Sequence, residues 1–114
     1  MYAQMVEHPT AGDREQLVSR IMQEELLPSL LAEPGFSGAV DLCDRFSGKA
    51  ITIVFWETAA AAFRPPSEYN ARFRQGLVTI AEISGRELPP LSVWEVAAYI
   101  EPGPRNHLRA VQAR

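Results

Sequence analysis

Asp41 and Glu95 are the two residues whose setting first suggests chemistry. Each is a lone carboxylate in an otherwise apolar run, Val40-Asp41-Leu42-Cys43 and Val93-Trp94-Glu95-Val96. A carboxylate withdrawn from water holds a proton more readily than one in solvent, which suits a general base. They are the candidate catalytic residues. The ordinary fate of such a group is a salt bridge or exposure at a rim, so each has a structural reading beside the functional one.

The remaining chemistry-bearing residues exclude more than they suggest. His8 stands beside Pro9, and His107 lies close to the chain end. Neither has metal-ligand spacing, and no Cys, His and carboxylate cluster appears, so no metal and no other cofactor is expected. Cys43 is the lone cysteine and cannot form an internal disulfide; its apolar run reads as a small buried hydrophobe. There is no nucleophile elbow, phosphate loop or dinucleotide fingerprint.

Charge and length narrow the classes further. A chain of 114 residues makes one domain able to bury a core without staples. The net charge of −3 and pI of about 5.3 disfavour a nucleic-acid surface. No apolar run spans a bilayer and the first residues do not resemble a signal peptide, so no membrane partner and a cytoplasmic location are expected.

The elements that must position these residues read in order. Tyr2 to His8 alternates and reads as a strand ended by Pro9. Asp13 and Gln16 resemble a capping box. Leu17, Val18, Ile21, Met22, Leu26 and Leu30 then make one helical face to about Ala32, and Pro28 predicts a break near Glu24 to Leu27. Phe36 to Asp44 and Ala50 to Trp56 form a hairpin, with Ser47-Gly48 in its turn. Thr58 caps a short turn. Ser67 is expected to cap a second main helix, which has Tyr69, Phe73, Leu77 and Ile80 on its inward stripe and Gly85 at its end. Gly76 weakens that helix and suggests a close contact. Arg86 to Pro90 reads as a loop and Leu91 to Ile100 as the last strand. A domain over residues 1–101 precedes a basic tail, 102–114.

The order strand, helix, strand, strand, helix, strand is the ferredoxin-like βαββαβ pattern of the α+β class: a four-stranded antiparallel sheet with helices on one face. Two helices cover one face only. Alternation places Ala39, Cys43, Thr52, Val54, Trp56, Val93, Ala97 and Tyr99 on the uncovered face, with Asp41 and Glu95 among them. An apolar sheet face is costly in water, so a homodimer packed through this face is expected.

Four segments carry a resemblance. Pro34-Gly35-Phe36-x-Gly38, Asp44-Arg45-x-Ser47-Gly48, Trp56-Glu57-Thr58 and Val93-Trp94-Glu95-Val96 are similar to motifs of the dimeric α/β-barrel, antibiotic biosynthesis monooxygenase-like superfamily, over residues 2 to about 100. The resemblance implies a dimer with a cavity beside each sheet. It points to a cofactor-independent oxygenase of a hydrophobic aromatic molecule, with a non-enzymatic dimeric ligand-binding or structural module as the rival. In the oxygenase reading Trp56, Thr52, Tyr99 and Arg72 are the candidate substrate-binding residues. The ordinary reading of Trp56 and Tyr99 is packing, and that of Arg72 is a solvent-facing helix position. The haem-degrading branch is disfavoured, because Gln75 and Pro65 fall where it needs histidine and tryptophan.

Overall fold

The computed structural model describes residues 1–86 and 91–102. The tail beyond Pro102 and most of the loop before Leu91 lie outside the described residues. Strands β1 (Tyr2–Pro9), β2 (Phe36–Asp44), β3 (Lys49–Trp56) and β4 (Ser92–Glu95) form one antiparallel sheet in the order β2-β3-β1-β4. This is the ferredoxin-like arrangement expected from the element order. The last strand is shorter than the alternation suggested, since the ladder to β1 ends at the Tyr2–Glu95 pair. Beyond it, the Val96 amide still donates to the Met1 carbonyl at 2.9 Å.

The first helical stretch is composite. α1 (Asp13–Ile21) runs into a π-turn at Met22–Leu26, a single α-turn α2 (Leu27–Ser29) and a 3-10 turn at Leu30–Ala32. Pro28 explains the π-turn: its ring presses on the preceding turn and it offers no amide hydrogen. The widened turn absorbs both, with the Leu27 amide donating to the Met22 carbonyl. The expected break is therefore a widening. The capping box does not form, because Gly12 is the N-cap and Asp13 is already helical.

α3 (Ala59–Phe63) starts where Thr58 accepts from the Ala61 amide at 3.1 Å. α4 (Ala71–Ser84) is capped by Asn70, which accepts from the Phe73 amide at 3.0 Å. Ser67 instead sits in a 3-10 turn at Pro66–Glu68, because Pro65-Pro66 sets a separate turn first. Gly85 closes α4 in the left-handed region, φ 64°. Gly76 faces α1's continuation: a Cβ there would stand 2.6 Å from Leu26 Cδ1. No helix among the described residues is long and apolar enough to cross a membrane.

The face assignment reverses the alternation expected from sequence. Thr52, Val54 and Trp56 are buried beneath the helices, with Gln4 and His8 of β1 on the same side. The core gathers Val18, Met22, Leu26, Leu30, Val54, Trp56, Tyr69, Phe73 and Ile80, and Val93 packs against it. The uncovered face carries Met5, Val40, Leu42, Ile51, Ile53, Phe55 and Trp94, paired across the ladder. Both faces of β3 are apolar, so its pattern alone could not choose. The bulk of Trp56 chooses: it fills the space against Phe36 and Tyr69, ring centroids 6.0 and 5.6 Å away. Cys43, expected to be buried, is exposed on its edge strand.

Candidate functional site

A cavity of about 280 Å³ lies between the sheet and the helices. Its walls are Val18, Met22, Leu26 and Leu30 from the first helical stretch, Phe73, Leu77 and Ile80 from α4, and Val6 and Val54 from the sheet. The volume approaches that of small-molecule pockets, and an apolar wall with few polar groups is their usual character. The π-turn contributes directly, because Met22 and Leu26 are wall residues within it and Gln23 between them reaches the sheet. Across the mouth Arg86 pairs with Glu15 at 3.3 Å.

At one end of this cavity β1, β2 and β3 bring three polar side chains together. His8 and Thr52 are buried, and the His8 Nε2 lies 3.3 Å from Thr52 Oγ1. Thr52 Oγ1 donates to Asp41 Oδ1 at 3.1 Å, and Gln23 Nε2 donates to Asp41 Oδ2 at 3.1 Å. The His8 Nε2 is 3.8 Å from Asp41 Oδ1. The register makes this possible, since His8 is two residues from the Val6–Thr52 pair and Asp41 is directly opposite Thr52.

These contacts determine the tautomer of His8. A carboxylate only accepts, so the single Thr52 hydroxyl proton is committed to Asp41. Thr52 can then only accept from His8, which places the ring proton on Nε2. In the neutral ring Nδ1 then keeps its lone pair. That atom is buried and has no hydrogen-bond partner among the described residues. A buried base in an apolar cavity is what this end of the site offers.

A second polar cluster stands beside the cavity-lining Tyr69, outside the cavity wall. Glu33 is buried and accepts from the Asn70 amide at 2.9 Å, from Asn70 Nδ2 at 2.8 Å and from Arg64. Burial works to raise the Glu33 carboxyl, but the Asn70 side-chain and backbone hydrogen bonds and the Arg64 charge together hold it below its ordinary range. Arg64 also stands 5.0 Å over the Tyr69 ring. Tyr69 lines the cavity, and its hydroxyl, like His8 Nδ1, is buried without a partner among the described residues. Burial pushes the Tyr69 phenol up, opposed in part by Gln4 and Arg64, so it stays a neutral donor.

The six candidates from sequence separate into two groups. Asp41 and Thr52 meet at the cavity end. Trp56 lies in the core, fully buried, its Nε1 3.5 Å from Gln4 Oε1, and is not a cavity wall. Glu95 is exposed at the end of the edge strand β4, and Tyr99 is 63% exposed beyond it. Arg72 points outward and pairs with Glu25 at 3.6 Å. His8, set aside for lacking metal-ligand spacing, is the residue of this cluster that sequence reasoning did not mark. Its signal was parity: His8, Val6 and Gln4 share a strand face.

No family model and no curated protein matches the sequence. Solved structures do. A Deinococcus radiodurans protein provisionally described as an antibiotic biosynthesis monooxygenase aligns with a TM-score of 0.68 at 11% identity, covering 89% of this chain and 97% of its own. The ActVA-Orf6 monooxygenase of Streptomyces coelicolor, in complex with nanaomycin D, aligns at 0.67 and 15% over 90% and 92%. SnoaB, a cofactor-independent oxygenase of Streptomyces nogalater, aligns at 0.62 and 12% over 87% and 95%. This chain has the antibiotic biosynthesis monooxygenase fold. At such identities the likeness is one of backbone, and a fold of this kind hosts more than one chemistry. The sequence motifs in the β2–β3 hairpin and around Trp56 and Trp94 pointed to the same fold.

Proposed function

We propose that this chain binds a small, largely apolar aromatic molecule carrying an acidic C–H or O–H group, and oxidises it with molecular oxygen without a cofactor. The observation that carries this reading is the buried His8 Nδ1, without a hydrogen-bond partner among the described residues, in the wall of an apolar cavity. His8 takes a proton from the substrate. The resulting carbanion is electron-rich enough to react with oxygen, giving a peroxide on that carbon. Loss of water then leaves a carbonyl: one CH₂ and one O₂ become one C=O and one H₂O. The cavity supplies orientation and excludes bulk water, and the Tyr69 hydroxyl is placed to donate to a substrate oxygen. The oxygenases sharing the fold support the reading by analogy.

Anthrone is a suitable probe because its CH₂ is acidic and flanked by aromatic rings. Oxygen uptake with appearance of anthraquinone is expected in the full chain, and loss of both in His8→Gln. Binding without oxygen uptake across anthrones and quinols would make the chain a ligand-binding module instead.

The same proposal includes a twofold dimer. Val40, Leu42, Ile51, Ile53, Phe55 and Trp94 form a continuous apolar sheet face that no element of the described chain covers, and a second copy of the same face is the simplest cover. Sedimentation at micromolar concentration is expected to give twice the chain mass, and Ile53→Lys a monomer. A wild-type monomer would refute the dimer.

A further inference from the structure

The charged residues of the cavity wall are gathered at one place. Among the described residues they are Arg14, Glu15 and Arg86, and His8 is the only other titratable side chain there besides Tyr69. Arg14 and Glu15 stand in the first turn of α1, and Arg86 follows Gly85 at the close of α4. Asp13, the other acid of that first turn, does not line the cavity. Two guanidinium groups against one carboxylate leave the mouth positive, in a chain whose net charge is −3. Glu15 does not exhaust what the cations offer. Its Oε1 meets Arg86 Nη2 at 3.3 Å. Its Oε2 folds back to 2.9 Å from where a Gly12 Cβ would stand, against the start of α1, whose open amides favour negative charge. A guanidinium carries five N–H donors, and Arg86 uses one of them on Glu15. Arg14 has no ion pair among the described residues.

The cavity also has a direction. β1 runs along its wall from Gln4 through Val6 to His8, and four residues of strand span about 13 Å. Tyr69 is a neighbour of Gln4. His8 lies at the opposite end, where β1 leads through Pro9 and Gly12 into α1. The charged mouth is therefore on the imidazole side of the cavity and away from the phenol.

We propose that the cavity selects an aromatic molecule with a carboxylate arm, the arm held at the mouth by Arg86 and Arg14. The inference rests on this cavity being the binding site of the proposed function. The aromatic body lies among Val6, Val18, Leu26 and Ile80, with an oxygen toward Tyr69 and the acidic C–H toward His8. A guanidinium fork matches a carboxylate in shape as well as charge. A single carboxylate also balances the one surplus positive charge of the mouth, whereas a doubly charged phosphate exceeds it and meets Glu15. The arm gives the substrate its orientation. An apolar slot holds an aromatic body equally well either way round, and a charge bound at one end decides which carbon reaches His8. Arg86 and Arg14 thereby become specificity-determining residues that stand outside the reacting centre.

The test reads binding to the full chain by anthracene fluorescence, with three probes: anthracene, anthracene-2-carboxylate and 2-(aminomethyl)anthracene. The wild type should bind the carboxylate about three- to tenfold more tightly than the hydrocarbon, the worth of a charge-assisted contact at a rim. The ammonium probe should bind more weakly than either. Raising the salt from about 20 mM to about 500 mM should shrink the carboxylate's advantage to within about twofold. Arg86→Gln should lower carboxylate affinity about fivefold and leave anthracene within about twofold. Glu15→Gln removes a competing anion and should raise carboxylate affinity, a sign that a merely loosened fold does not produce. Failure of all three probes to bind, equal binding of the three, or equal losses of carboxylate and anthracene in Arg86→Gln would overturn the selection. If the carboxylate is preferred while anthrone is inert to oxygen, the oxygenase reading falls and the selection stands. If anthrone turns over while the three probes bind alike, the reverse holds.

Discussion

Two polar clusters, one reaching the cavity through His8 and Thr52 and the other standing beside Tyr69, are built from similar materials and arrive at opposite states. Glu33, Arg64 and Asn70 bring a carboxylate, a cation and an amide together, and the carboxylate is saturated with donors. Asp41, Thr52 and His8 bring a carboxylate, a hydroxyl and an imidazole together, and one ring nitrogen is left over. A buried polar group that is fully bonded fixes structure; one that is not carries a cost of about 1–3 kcal/mol that stability alone does not explain. The first cluster ties the turn after Ala32 to the start of α4. The second holds the imidazole that the proposed function uses as its base. The first cluster saturates its carboxylate and leaves only the donor Arg64 Nε without a partner among the described residues, whereas the second leaves an imidazole nitrogen open beside the cavity.

The sharpest way to break this contrast is to exchange a residue from each cluster and ask which property is lost. His8→Gln keeps the size and polarity but removes the base. Proton transfer by a positioned group contributes about 10²–10⁴ in rate, so anthrone turnover should fall by that order while the thermal midpoint moves by a few degrees at most. Turnover retained at near wild-type rate would place the base elsewhere.

The reciprocal change is Glu33→Gln. Removing one partner of a buried pair commonly costs about 3–5 kcal/mol. Arg64 is 26% exposed and can recover some hydration, so the expected loss is near the low end, about 3 kcal/mol by denaturant unfolding. Ligand affinity in the protein that remains folded should change little. The same residue predicts the acid limit. Its folded-state carboxyl lies below the ordinary value of 4.5. Its contribution is therefore complete above that value and disappears as pH falls through the lower, folded-state titration. The acid unfolding of Glu33→Gln should lack this component. An unfolding curve against pH that is parallel in the two proteins below pH 4.5 would contradict it.

The contrast between legible and illegible parts of the molecule has the same physical origin. Element order, the β2–β3 hairpin with its Gly48 turn at φ 71°, the Thr58 cap and the Gly85 stop follow from local chemistry and were readable. The pairing of faces was not. β3 presents Ile51, Ile53 and Phe55 on one side and Thr52, Val54 and Trp56 on the other, and alternation gives no sign of which lies under the helices. Asp41 and Thr52 could be marked as polar residues in an apolar run. Their meeting with His8, 44 residues from Thr52 in sequence, depends on register, which the sequence pattern does not state. Gly76 lies between these cases. Its helix position suggested a close approach, and the approach is to Leu26, a cavity wall. Gly76→Ala gains helix propensity of about 1 kcal/mol, but the added carbon must displace Leu26 from 2.6 Å, and overpacking costs about 1–3 kcal/mol. A net loss of roughly 1 kcal/mol is expected, with weaker ligand binding because Leu26 is pushed toward the cavity. A stabilised variant with unchanged binding would show that Leu26 moves freely.

The smallest effect is the most discriminating. Tyr69 lines the cavity beneath Arg64 of the first cluster, yet its hydroxyl has no partner among the described residues. If saturation divides scaffold from site, Tyr69 belongs to the site despite its neighbours. Tyr69→Phe removes an unsatisfied buried donor and leaves the ring, with its contacts to Trp56 and Phe73 at 5.6 and 4.8 Å. Stability should be unchanged or higher by up to about 1 kcal/mol, whereas affinity for an oxygen-bearing aromatic should fall by about three- to tenfold, the worth of one neutral hydrogen bond. The parent hydrocarbon anthracene, which offers no oxygen to that hydroxyl, should bind wild type and variant alike. Calorimetric titration of both ligands decides the matter. Equal losses for the two would mean that the phenol only shapes the wall, and the division by saturation would fail at the residue that tests it most closely.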